Sequence, residues 1–106
     1  MLWDEFTEGV YLVDFEFHPV NCKEGNPPFP VCMVVREWPP GLTTRYWHDE
    51  LHEMNSAPFP TGEKALWVAY YASAEMDCFK VLGWALPVNL LDLFVELCGV
   101  ARGARH

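Results

Sequence analysis

The sequence predicts an α/β fold: a mixed sheet of three antiparallel strands plus one parallel strand, with helices, incomplete at the carboxyl end. Three observations predict it. Three β-rich runs between residues 10 and 48 are separated only by loop and turn signals, as in an antiparallel meander. A later run, Leu66-Trp-Val-Ala-Tyr70, is continuously apolar, the pattern of a strand buried on both faces. Beyond it, capping residues and helical spacing take over.

The elements follow in order. Gly9 precedes Val10-Tyr-Leu-Val-Asp-Phe-Glu-Phe17, a first strand with acids at alternate positions. Pro19, Gly25, Pro27, Pro28 and Pro30 mark a loop. Val31 to Trp38 forms the second strand, closed by the turn signal Pro39-Pro40-Gly41. Leu42 to His48 alternates as a third strand, and Asp49 to Asn55 reads as a short helix. After the loop Ser56 to Gly62 comes the apolar fourth strand. Ser73 is the expected N-cap of a helix over Ala74 to Leu82, which Gly83 stops. Pro87 and Asn89 open an expected last helix, Leu90 to Cys98, striped with Leu90, Leu91, Phe94, Val95 and Cys98. Only four strands are expected, and residues 1–106 read as one partial domain.

Hydrophobic residues make up 51% of the 106-residue chain and aromatics 15%, enough for a packed core and too rich for disorder. No apolar run reaches the ~20 residues of a membrane span, and the acidic start does not resemble a signal peptide. A soluble, cytoplasmic chain without a membrane partner is expected. The four cysteines, Cys22, Cys32, Cys78 and Cys98, show no CxxC spacing and are expected reduced and mostly buried. His18 with Cys22 is a weak metal pair on a proline-containing loop.

A net charge of −8 argues against a chain that coats nucleic acid electrostatically. Carboxylates can still serve phosphodiester chemistry when divalent metals neutralise them. Asp14 and Glu16 are two apart on one strand, so both project from the face opposite Val13, Phe15 and Phe17. Side by side in an apolar strand they repel one another, unless the face is solvated or a hard cation such as Mg²⁺ or Mn²⁺ binds both. Glu75 and Asp77 start the helix after the fourth strand. If that strand lies parallel to the first, it delivers them close to Asp14. Their spacing puts them on different sides of the helix, so at most one faces the site. The dipole alone also accounts for acids at a helix start.

At these residues the sequence resembles a family. Val13-Asp14-Phe15-Glu16 is similar to the first motif, D-x-E, of DEDD-type 3′–5′ exonucleases, the superfamily that includes polymerase proofreading domains. Val68 to Glu96 resembles the second-motif region of family A (polymerase I-like) enzymes: with Glu75 on the motif acid, Gly83 follows eight residues on and Asp92-Leu93 seventeen on, without a gap. Pro30 to Glu37 is similar to the second strand of the same domains, and the likeness spans Val10 to Val100. It implies a ribonuclease H-like fold, Mg²⁺ or Mn²⁺ as cofactor, and metal ligation by Asp14, Glu16 and either Glu75 or Asp77. Asp14, Glu16 and Glu75 are the implied catalytic set, Glu75 being preferred for its gap-free register. The implied substrate is a nucleic acid 3′ end, single-stranded DNA first.

The chain departs from the family where Glu75 replaces Asp and Tyr71 replaces Asn. No match to the third motif, a Tyr or His followed by Asp, lies after Asp92, where Glu96 is the one remaining acid. The expectation is therefore a nuclease domain cut short, weak or inactive as it stands. The rival is a catalytically silent module that pairs with another copy or a polymerase body through an open sheet edge. Plain surface charge on an unrelated α/β protein is a third reading. Trp67, Tyr70, Tyr71 and Trp84 are expected in the core rather than stacking on bases. Tyr46 to His48 and His52 are read as strand and solvent-facing turn.

Overall fold

The computed structural model describes residues 5–18 and 28–95. Their elements are β1 (Gly9–His18), β2 (Phe29–Trp38), β3 (Thr43–Trp47), α1 (His48–Glu53), β4 (Ala65–Ala69), α2 (Ala72–Leu82) and β5 (Leu90–Asp92). Leu93 to Val95 begin a third helix. The strands form one mixed sheet in the order β3-β2-β1-β4-β5. β2 runs antiparallel to both β1 and β3, while β4 is parallel to β1 and β5 is parallel to β4.

Two expectations about the elements need correction. The sheet has five strands rather than four, because Leu90–Asp92 is a strand where a helix was expected over Leu90 to Cys98. Leu90, Leu91 and Asp92 pair with Trp67, Val68 and Ala69, so the register with β4 overrides a helical stripe of leucines. The part of that expected helix beyond Val95 lies outside the described residues. With β5 in place, the sheet edges are β3 and β5, and a missing fifth strand no longer explains an open edge. The second correction concerns α2, which starts two residues earlier than expected: its N-cap is Tyr71 rather than Ser73, and the Tyr71 side chain makes no capping bond.

That missing cap is supplied from another element. The Asp92 carboxylate accepts a hydrogen bond from the Ala72 amide at 3.1 Å and from the Phe94 and Val95 amides at 2.9 and 3.2 Å. One side chain at the end of β5 thus serves the starts of two helices, each of which has amides without intrahelical partners. Gly83 ends α2 as expected, in the left-handed region at φ 76°, where only glycine is free of Cβ strain.

The two faces of the sheet differ. Tyr11, Val13 and Phe15 of β1, Met33 and Val35 of β2, and Trp67 and Ala69 of β4 pack with Leu51 of α1 and Ala72, Met76, Cys78 and Phe79 of α2. Trp67 and Phe79 meet edge to face at 5.3 Å, as do Phe79 and Trp84 at 5.1 Å. The indole N–H groups of Trp67 and Trp84 donate to the Pro60 and Met54 carbonyls, so burial leaves neither unpaired. On the opposite face Val10, Leu66 and Val68 form a small cluster with Leu91 and Phe6. Trp67 and Trp84 are core residues as expected. Tyr70 and Tyr71 are not: both are exposed, edge-on to Phe94.

Candidate functional site

Strand alternation places Asp14 and Glu16 on the Val10–Leu12 face of β1, exposed, with the core residues Val13 and Phe15 turned the other way. β1 is the central strand, and its described pairing with β4 ends at Leu12 and Val68. Past that point its edge toward β4 has lost its strand partner. Glu75 takes over: its Oε2 accepts a hydrogen bond from the Phe15 amide at 2.8 Å. A carboxylate from α2 therefore caps the strand backbone between Asp14 and Glu16.

Glu75 is only 6% exposed, the one buried charged residue among the described residues. Burial pushes its carboxyl up to about 7; the Phe15 amide pulls the other way, and the nearby Asp14 charge adds to the rise. Cost of desolvation thus outweighs a charge-assisted hydrogen bond. Asp77, two residues on, is exposed. Helical spacing lets one acid at most face the sheet, and the packing of α2 against β1 makes that acid Glu75. The nearby Cys78 thiol is pushed up to about 12, first by burial and then by Glu75 and Asp77.

Three carboxylates offer the hard oxygen donors that Mg²⁺ or Mn²⁺ prefers. Asp14 and Glu16 are the pair free to bind at the surface, with Glu75 behind them at the strand backbone. Among the described residues, however, no group of three or more His, Cys, Asp or Glu side chains gathers closely enough to hold a metal ion. Of the pair His18 and Cys22, Cys22 lies outside the described residues. His18 instead stacks on Phe29 at 6.5 Å, and the His52 ring lies on Phe29 at 5.0 Å.

The register shows neighbours of the acids that the sequence reading did not assemble. Asp14 is opposite Val34, which is opposite Arg45; Glu16 is opposite Cys32, which is opposite Trp47. Directly paired residues share a sheet face. Asp14 with Arg45, and Glu16 with Trp47, thus stand in two cross-strand rows of one face. The signal was present in Thr43-Thr-Arg-Tyr-Trp47, whose alternation turns Tyr46 to the core and Arg45 and Trp47 away from it. Only the register could align it with β1. A cleft of about 400 Å³ opens farther along the same face, lined by Val10, Leu12, Trp38, Val68, Leu91 and Leu93 and not by the acids.

No family model, no curated protein and no solved structure matches the chain.

Proposed function

We propose that this chain is a 3′–5′ exonuclease-like domain of the DEDD type on a ribonuclease H-like fold, with single-stranded DNA as the substrate class. One observation carries the reading: the acid from the helix after β4 meets the central strand's backbone between Asp14 and Glu16. A sheet ordered 3-2-1-4-5 with only β2 reversed against its neighbours supports the fold assignment. Asp14 and Glu16 would hold a divalent cation, which when bound supplies Lewis-acid stabilisation of a phosphodiester under attack. Glu75 holds the strand that carries both ligands and raises the local negative potential. Among the described residues no third ligand gathers with them to complete a two-metal site, so turnover by this chain alone is expected to be very low.

Thermal unfolding tests the metal pair. Mn²⁺ should raise the melting temperature with concentration, by mass action on the folded state, and Asp14→Asn should abolish the shift. Equal responses in both proteins would remove the site. Release of mononucleotides from a 3′-labelled oligonucleotide, with Asp14→Ala as control, tests turnover. A second reading, a catalytically silent ribonuclease H-like module, is favoured by the lack of a three-ligand cluster among the described residues. It predicts neither a Mn²⁺ shift nor release.

A further inference from the structure

The face of the sheet that carries Asp14 and Glu16 also carries Leu12, Arg36, Trp38, Arg45 and Trp47. The register places them there: Leu12 opposite Arg36, Val10 opposite Trp38, and Arg45 and Trp47 in the rows of the two acids. α1 and α2 pack on the other face. Both arginines of the strands thus lie on one face of a chain whose net charge is −8.

The most developed part of this surface is on β3. Trp47 is 50% exposed, and the Arg45 guanidinium carbon lies 6.0 Å from the centre of its ring. That is cation–π distance, which preorients the guanidinium beside the ring without covering both of its sides. At the start of α1 it is the Trp47 amide, not the indole, that donates to the Glu50 carboxylate, at 3.2 Å. The neighbouring Tyr46 already serves the core. Strands are ~4.8 Å apart, so β3 is about 10 Å from β1, and the Arg45–Trp47 pair flanks the acids at that distance.

We propose that the Arg45–Trp47 pair is a binding site for single-stranded nucleic acid: Trp47 stacks on a base and Arg45 pairs with an adjoining phosphate. The choice of ligand rests on the nuclease reading of Asp14 and Glu16, and the charge pattern agrees with it. An anionic strand is held by the arginine where the carboxylates alone would repel it. Stacking on an aromatic face accepts any base, so the site holds and orients the strand without selecting sequence. A short strand held on β3 and running across the sheet brings a neighbouring phosphate toward the β1 acids.

The test is fluorescence anisotropy of a 5′-labelled oligothymidylate with the full chain in EDTA, so that the metal pair plays no part. Trp47→Ala should weaken binding about 5- to 150-fold, the range for one lost base stack. Trp47→Phe should recover most of it, and an oligomer with abasic sites should bind wild type as weakly as Trp47→Ala binds the intact one. Arg45→Gln should reduce the salt dependence by about 0.7 in the slope of log K against log salt. Circular dichroism establishes that each variant is folded; an exposed side chain is not needed for the core. Wild-type binding unchanged in Trp47→Ala, equal affinity for the abasic oligomer, or no binding by wild type would overturn the proposal. So would a wild-type dimer that Trp47→Ala dissociates, because this face would then receive a second copy. An equal Mn²⁺ response in wild type and Asp14→Asn, with the Trp47 effect intact, would sink the nuclease reading and leave the binding site standing.

Discussion

Replacing Glu75 by Gln tests whether its buried carboxylate opposes folding. The carboxyl ordinarily titrates near 4.5 and in the fold near 7. A group whose folded pKa is raised binds more protons in the native than in the unfolded state across that window. Stability from this group is therefore fully present below about pH 4.5 and is lost as pH rises through 7. The rise corresponds to about 3 kcal/mol at ~1.36 kcal/mol per pH unit. Gln keeps the length and an oxygen that can still accept from the Phe15 amide, but it does not ionise. Urea unfolding of both proteins in EDTA from pH 4 to 8 isolates the effect, since the other acids cancel in the difference. The variant should gain about 3 kcal/mol on wild type across the range, a melting difference on the order of 10 °C at pH 8. A difference that stays flat with pH would refute the placement of Glu75 in a desolvated site.

Four further outcomes are expected. Asp92→Ala should destabilise by about 1–3 kcal/mol in urea unfolding, because the amides of Ala72, Phe94 and Val95 lose their shared acceptor. Asp92→Asn should recover part of the loss. Gly83→Ala should cost about 1 kcal/mol in the same assay; no atom lies within 4 Å of the added methyl, so backbone strain at φ 76° is the whole penalty. Phe79→Ala should cost about 3–5 kcal/mol, since its ring is fully buried between Phe15, Trp67 and Trp84. Native Cys78 should resist iodoacetamide at pH 8, with peptide mapping showing alkylation only under unfolding conditions, because its thiol is buried and pushed up to about 12.

The sequence by itself determined the local elements whose signals are periodic or steric. Alternation in Val10 to Phe17 set which side chains share a face, and so placed Asp14 with Glu16 away from the core. Proline, glycine and the continuous apolar run bounded the first four strands, and Gly83 stopped α2 where its φ requires it. Tertiary structure decided what depends on partners distant in the chain. Leu90–Asp92 has a helical stripe, yet it pairs with β4, because hydrogen bonds to a neighbouring strand outweigh a weak propensity. The gap-free register of the family resemblance preferred Glu75 to Asp77, but the physical choice waited on α2 lying against β1, since helix spacing shows that two acids diverge and not which one faces the sheet. Desolvation of Glu75, the trans cap from Asp92, and the rows joining Asp14 to Arg45 and Glu16 to Trp47 all arise from register and burial. Those are relations between segments tens of residues apart, on which local sequence preference has no hold.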